Sequence, residues 1–303
     1  MGPMAKARVG FIGLGLMGHG MAKNLVAKGF PLVVKVNRDR SRLADIVAAG
    51  AREASTNAEV ARSADVVILC VNGSPEVEAV VLGEHGLLEG ARDGLMVVDT
   101  STSEPGSTQR MREALAARGT RFIDAPLART PREAEEGRLN SMVGAEPGDL
   151  ERIRPVLAAF CENIFHVGPP GAGHTLKLVN NFMALTIAAS VAEAFAVAAK
   201  AGVRLESLVD VVSQGAINSN LFQMIGRGAA EGDLTRMKFS IRNAAKDMRY
   251  YTHLAESLPV ASFVGEAVHQ SYAQAVAMGL GDRLVPSLLE AQEQLTGTRI
   301  VPR

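Results

Sequence analysis

The sequence predicts an α/β Rossmann-like N-terminal domain followed by an all-α C-terminal domain, and three observations lead to this prediction. Gly13, Gly15 and Gly18 form a G-x-G-x-x-G turn between an apolar run and a helix-like segment. From residue 7 to residue 168, short β-branched runs alternate with helix-like segments. After residue 171 the strand pattern stops, and a long alanine-rich stretch begins.

The N-terminal elements follow from this alternation, which is typical of a doubly wound parallel sheet. Apolar runs predict strands at residues 8–12, 32–36, 65–71, 95–99, 121–123, 141–143 and 164–167. Helix-like segments lie between them at residues 41–49, 57–63, 75–82, 104–118 and 147–160. Gly168-Pro169-Pro170-Gly171 then breaks the chain. We therefore expect a dinucleotide-binding Rossmann-like domain over residues 1–168 and a helical domain over residues 169–303.

The C-terminal half reads as helices alone. They are predicted at residues 174–201, 205–213, 219–230, 240–256, 260–278 and 283–295. The first contains no Gly or Pro, is apolar almost all round, and would run about 40 Å. A helix of this character in a soluble protein is expected to be buried on most sides and to join two domains.

The amino-acid composition limits the partners and cofactors that the chain is expected to have. The 32 basic and 32 acidic side chains cancel, which favours neither nucleic acid nor an anionic membrane as a partner. Cys70 and Cys161 lack metal-ligand spacing and predict reduced thiols in a cytoplasmic protein. The longest apolar run, residues 182–192, is too short to span a bilayer. His166 and His174 have no Cys or carboxylate at ligand spacing, and no metal is expected.

The glycine turn predicts binding of a dinucleotide. The first glycine permits the tight turn, the second lets the backbone approach a pyrophosphate, and the third lets helix and strand pack closely. Where an acid would bind the adenosine ribose, the chain has Asn37 and Arg38, with Arg40 and Arg42 behind them. Because arginine can pair with a 2′-phosphate, this favours NADP, with NAD possible. The alternative is a solvent-exposed basic turn that starts a helix.

Polar residues also follow the strand predicted at residues 95–99. Ser101 and Thr102 would lie at the carboxyl edge of the sheet, where doubly wound folds bind ligands, although capping by Ser103 explains part of the pattern. Lys177 and Asn181 are four residues apart and share a helix face. A lysine and an amide in an alanine-rich helix suit a cleft, and the alternative is a surface lysine on an exposed first turn.

Five segments together resemble the β-hydroxyacid dehydrogenases, the group that contains 3-hydroxyisobutyrate dehydrogenase. They are FIGLGLMGHGMAKNL, DTSTSEP, DAPLARTPREAEEGRLNSMVG, GAGHTLKLVNN and AAKDM. The resemblance covers nearly the whole chain and implies a long interdomain helix and a homodimer or homotetramer formed through the helical part. It implies that Lys177 is the catalytic lysine and Asn181 the assisting asparagine. It further implies that Lys246 is a cofactor-side lysine, with Phe239 and Asp247 nearby.

The expected site residues follow from these motifs. The catalytic residues are Lys177 and Asn181, and the substrate is held by Ser101, Thr102, Arg129, Thr130 and Asn180. The cofactor contacts are Gly13, Leu14, Gly15, Leu16, Met17, Gly18, Asn37, Arg38, Val71, Asn72, Phe239 and Lys246.

One segment departs from the family pattern. Ala128, Arg129 and Thr130 replace the Ser-Gly-Gly turn that cradles the substrate carboxylate in the family. Arg-Thr here resembles the sulfolactaldehyde reductase branch, but Ala184 stands where that branch has a serine. Arg129 is expected to hold the acid group of the substrate, and the alternative is that it points outward to Glu133 or Glu135.

The sequence therefore predicts an NAD(P)-dependent oxidoreductase that passes a hydride between nicotinamide and a small anionic β-hydroxy acid or semialdehyde. One alternative is an imine reductase on the same fold, against which Lys177 argues. The other is a non-catalytic dinucleotide-binding scaffold, since some relatives have lost the lysine.

Overall fold

The computed structural model describes residues 6–36 and 40–302. Packing divides the chain into two compact units, Met1–Lys177 and Leu178–Arg303. The division falls inside one continuous helix, Ala172–Lys200.

The first unit is built on a nine-stranded sheet. Its strands are β1 (Val9–Ile12), β2 (Leu32–Lys35), β3 (Arg52–Glu53), β4 (Val66–Leu69), β5 (Met96–Asp99), β6 (Arg121–Asp124), β7 (Leu127–Ala128), β8 (Leu139–Gly144) and β9 (Cys161–Gly168). Their order is β3-β2-β1-β4-β5-β6-β8-β7, and β9 pairs with β8. The first six strands are parallel. Strands β2 and β3 lie on one side of β1, and β4, β5 and β6 lie on its other side, as in a doubly wound fold.

The far edge of the sheet differs from the prediction of a wholly parallel sheet. Strand β8 runs antiparallel to both β6 and β7, while β9 is parallel to β8. The two-residue strands β3 and β7 were not predicted, because two residues are too few to show an alternating pattern. The rest of the predicted sheet is confirmed.

Helices of the first unit cover both faces of the sheet. They are α1 (Leu16–Ala27), α2 (Ala44–Ala48), α3 (Asn57–Ser63), α4 (Ser74–Leu82), α5 (Leu87–Gly90), α6 (Pro105–Ala116), α7 (Pro131–Glu135) and α8 (Pro147–Leu157). The central strands β1, β4 and β5 are buried along their whole length, and their side chains enter two separate apolar clusters. This is why they read as continuous apolar runs rather than alternating ones.

The second unit is helical, as predicted. Its helices are α9 (Ala172–Lys200, shared with the first unit), α10 (Leu205–Gln214), α11 (Asn220–Phe222), α12 (Gly228–Ala230), α13 (Ile241–Ser257), α14 (Phe263–Ala275) and α15 (Leu288–Thr296). Two π-helical turns, Gln223–Arg227 and Val276–Leu280, interrupt predicted continuous helices. Tyr272 is fully buried and donates its hydroxyl to the Leu185 carbonyl at 3.0 Å, which ties α14 to α9.

The burial of α9 is lower than the sequence suggested. Only 33% of its most apolar window is buried, so the expectation of burial on most sides is wrong for the single chain. Met183 and Val197 are exposed by 53% and 63%. With 29 residues and a mean hydropathy of 1.9 in its most apolar window, α9 is also long and apolar enough to cross a membrane. One such helix is weak evidence, because core helices of soluble proteins meet the same criterion.

Candidate active site

The glycine turn connects β1 to α1, and each glycine has a distinct physical reason. Gly13 has φ +104°, and a Cβ there would lie 2.2 Å from the Cys70 carbonyl oxygen. A Cβ on Gly18 would lie 1.9 Å from the Gly13 carbonyl oxygen. A Cβ on Gly15 would meet nothing within 4 Å, so this glycine faces open space. No side chain caps the α1 N-terminus, and the turn therefore fits an external pyrophosphate.

Polar groups from two neighbouring strands meet at the same edge of the sheet. The Val71 amide, just after β4, donates to the Ser101 hydroxyl oxygen at 3.0 Å. The Ser101 amide in turn donates to the Asp99 carboxylate at 2.9 Å. Ser101 is buried, and its hydroxyl proton remains available to a ligand because its oxygen is the acceptor from Val71. Thr102 is half-buried and Asn72 is exposed.

The ribose-binding position lies partly outside the described residues, because Asn37 and Arg38 are among those that the structure does not describe. Arg40 is described, and its guanidinium makes a two-point ion pair with Glu53 at 2.7 and 2.9 Å. This pairing lowers the pKa of Glu53 below its ordinary value. Arg40 is therefore engaged within the protein.

The turn that departs from the family pattern joins β7 to α7. Arg129 has φ +81°, a backbone conformation that favours glycine. Its guanidinium pairs with Glu162 on β9 and with the Arg138 carbonyl oxygen, and not with the glutamates of α7. Thr130 caps α7 in a capping box with Glu133. Both side chains thus have partners within the protein, and their substrate contacts stay predictions.

A buried carboxylate anchors the start of α9. Asp124, at the end of β6, accepts the Gly171 amide at 2.7 Å and the His174 amide at 2.9 Å. These amides lack partners within the helix, and an anion at a helix N-terminus is stabilised by the helix dipole. A Cβ on Gly173 would lie 2.5 Å from the Met142 carbonyl oxygen, so only glycine permits this approach. The anchor fixes the helix turn that carries Lys177.

Lys177 is half-buried in the first turns of α9 and belongs to the first unit. Asn181, one turn further, is 9% exposed, and its amide donates to Asp247 on α13 at 2.7 Å. Asp247 is 2% exposed and also pairs with Lys246 at 3.1 Å. The hydrogen bond to Asp247 fixes the orientation of the Asn181 amide, because the amide donor is held by a buried charge.

The remaining predicted residues of the second unit have the following surroundings. The Lys246 ammonium sits 5.2 Å from the centre of the Tyr250 ring. Phe239 is half-buried and packs against the helical core. Asn180 is exposed, and its amide lies 3.4 Å from the Asn181 side-chain oxygen.

The structure thus assembles two groups of predicted residues, each within its own unit. One is the glycine turn with Val71 and Ser101 at the sheet edge, and the other is Asn181 with Lys246. Sequence reasoning did not assign roles to Asp99, which ends a predicted strand, or to Asp124, which directly follows one and ends β6 in the structure. Their position at the carboxyl ends of strands is the sequence feature that could have identified both carboxylates.

Comparison with known proteins identifies the family. Residues 8–168 match the model of the NAD-binding domain of 6-phosphogluconate dehydrogenase. Residues 171–290 match the NAD-binding model of NADP-dependent 3-hydroxyisobutyrate dehydrogenase. Among relatives, 2-(hydroxymethyl)glutarate dehydrogenase of Eubacterium barkeri is 31% identical over 97% of each chain. The 3-sulfolactaldehyde reductase of Escherichia coli K12 is 32% identical over 94% of this chain and 95% of its own.

A solved structure agrees with these relatives. The 3-hydroxyisobutyrate dehydrogenase of Salmonella typhimurium superposes with a TM-score of 0.82 at 26% identity, over 94% of this chain and 99% of its own. The order of domains is the same in the family models and in the described structure. The chain therefore belongs to the β-hydroxyacid dehydrogenase family and is an NAD(P)-dependent oxidoreductase that acts on a CH–OH group.

Proposed function

We propose that the chain interconverts a small anionic β-hydroxy acid, or a similar alcohol, and its semialdehyde, with NADP as the preferred cofactor. The observation that carries this proposal is Lys177, half-buried on a helix turn that Asp124 anchors, with the oriented amide of Asn181 one turn away. When bound, the nicotinamide supplies or accepts the hydride.

The proton step falls to Lys177. In the oxidation direction, the neutral amine accepts the hydroxyl proton as the carbon gives up its hydride, and in reduction the ammonium returns that proton to the aldehyde oxygen. A lysine that takes a proton must be neutral for part of the cycle. Asn181 orients the substrate and the lysine, and Ser101 donates to the acid group.

A substrate screen tests the function as a whole. The purified protein is assayed with small semialdehydes, 3-sulfolactaldehyde, β-hydroxy acids and cyclic imines, each with NADPH or NADH and their oxidised forms. We expect turnover of an anionic aldehyde. Reduction of cyclic imines without any aldehyde turnover would assign the chain to the imine reductases. NADPH binding without turnover of any of these compounds would make it a scaffold.

Arg129 is proposed to read the charge of the substrate. Its backbone, with φ +81°, is strained for any residue other than glycine, and a strained residue beside a ligand edge supports a role for the side chain. To reach a substrate, the guanidinium exchanges Glu162 for a carboxylate or sulfonate, both of which it can bind through paired hydrogen bonds.

We expect Arg129→Leu to lower kcat/KM for an anionic aldehyde about thirty-fold, or about 2 kcal/mol, and to leave that for a neutral aldehyde of similar size unchanged. Arg132→Leu is the matched control, because Arg132 is exposed on α7 and pairs with Glu136. Steady-state kinetics on both substrates decide the matter. An equal loss on both aldehydes, or none on either, would show that Arg129 does not read charge.

The cofactor preference is proposed from Asn37 and Arg38. We expect higher kcat/KM with NADPH than with NADH. Arg38→Ala should weaken the binding of NADPH ten- to a hundred-fold, because a charge-assisted contact contributes about 1.5–3 kcal/mol. Arg40→Ala is the control, because that guanidinium is held by Glu53. Better use of NADH by the unmutated protein would refute the preference.

Assembly, location and domain roles complete the proposal. We propose a homodimer or homotetramer formed through the helical part, which would cover the exposed apolar side chains of α9. The two thiols are free, which supports a cytoplasmic location. Residues 1–168 would bind the dinucleotide and residues 169–303 would bind substrate and partner subunits.

A further inference from the structure

His174 is a buried histidine with no part in the proposed proton step. It lies in the first turn of α9, three residues before Lys177, and its side chain is 0% exposed. Its Nδ1 lies 2.6 Å from the Thr108 hydroxyl on α6. Its Nε2 lies 3.6 Å from a carboxylate oxygen of Asp99, which is also fully buried, and forms no hydrogen bond within the described part of the chain.

The hydrogen positions follow from the partners. The single proton of the Thr108 hydroxyl goes either to His174 Nδ1 or to the Glu104 carbonyl, 3.2 Å away. In the first case the neutral imidazole carries its proton on Nε2. In the second case Nδ1 carries the proton, and a bare Nε2 lone pair would face the buried carboxylate of Asp99, which is unfavourable. The contacts therefore favour the first case, which places an Nε2–H toward Asp99.

This contact joins three segments of the first unit. Asp99 also accepts the Ser103 hydroxyl at 2.9 Å, so its charge organises the loop that carries Ser101. Thr108 belongs to α6, and His174 belongs to the turn of α9 that leads to Lys177. Residues three apart share a helix face, so a rotation of α9 at His174 moves the lysine with it.

We propose that His174 is a positioning residue, which fixes Lys177 relative to the Ser101 loop through its contacts to Asp99 and Thr108. The inference rests on the proposed function, in which Lys177 moves the proton. The Asp124 anchor holds only backbone amides of α9, whereas the His174 side chain ties the same turn to two other segments. A displacement of about 1 Å at a reacting group can cost a hundred-fold in rate.

The test compares His174→Leu with His174→Gln in the full-length protein. Leucine removes both polar contacts, while glutamine keeps an amide donor for Asp99. We expect His174→Leu to lower kcat, counted per NADPH-binding site, ten-fold or more. The Kd for NADPH should not change. His174→Gln should recover most of the lost kcat. His166→Gln is the control, because the His166 ring on β9 lies 2.8 Å from the Ala145 carbonyl oxygen and takes no part in the contacts to Asp99 and Thr108.

A second variant keeps the test decisive if His174→Leu does not fold. Thr108→Val removes the hydroxyl and keeps the shape, and we expect a smaller drop in kcat that Thr108→Ser restores. A kcat within two-fold of normal in His174→Leu, or in Thr108→Val when the leucine variant cannot be made, would overturn the proposal. Lys177→Met is measured in parallel: full activity there refutes the proton role itself, whereas an inactive lysine variant beside normal His174 variants refutes only the positioning role.

Discussion

Lys177→Met is expected to lower kcat about a hundred-fold or more, which corresponds to about 2.7 kcal/mol of lost transition-state stabilisation. Methionine keeps an unbranched apolar stem, one atom shorter than lysine, but cannot carry a proton. Cofactor affinity should remain, because the glycine turn that fits the pyrophosphate is built from other residues. Single-turnover rates and NADPH titration by fluorescence measure the two quantities separately.

The matched control for this variant is Lys200→Met, at the exposed end of the same helix. It makes the same chemical change and should leave kcat within two-fold of normal. If Lys177→Met also kept near-normal kcat, the lysine would be a half-buried structural residue, and the proton would have to come from another group.

Gly15→Ala and Gly18→Ala are expected to fail in different ways, although both glycines belong to one motif. A Cβ on Gly18 would collide with the Gly13 carbonyl oxygen, so we expect a loss of about 2–3 kcal/mol in the free energy of unfolding and a melting temperature lower by about 5–10 °C. A Cβ on Gly15 meets open space, and its φ of −71° suits alanine. That variant should melt normally but bind NADPH at least ten-fold more weakly, because the methyl group occupies the pyrophosphate position.

Thermal melts and NADPH titration on both variants provide the measurement, with Gly148→Ala as the control. Gly148 lies in the first turn of α8, and a Cβ there would also meet nothing within 4 Å. Unchanged NADPH affinity in Gly15→Ala would mean that the cofactor does not approach this turn. A normal melting temperature in Gly18→Ala would mean that the turn can shift to admit the methyl group.

The sequence by itself determined the features that depend on neighbouring residues. The glycine turn, the parallel strands β1, β2, β4, β5 and β6 and the change to helices after β9 were predicted correctly, because turn chemistry and hydrophobic period are local properties. The spacing of Lys177 and Asn181 on one helix face follows in the same way. The resemblance to the family, carried by short motifs in register, is confirmed by the comparisons.

The tertiary structure decided which partner each polar side chain has. Nothing in the sequence near Arg129 indicates Glu162, which is 33 residues away and meets it only because β9 joins the sheet beside β8. In the sequence, His174 is only the first residue of a predicted helix. Its burial against Asp99 and Thr108 depends on how α9 begins within the first unit. Such contacts join segments that are distant in the chain, and the free energy of burying a charge or a hydrogen-bonding group depends on the partner that the fold brings to it.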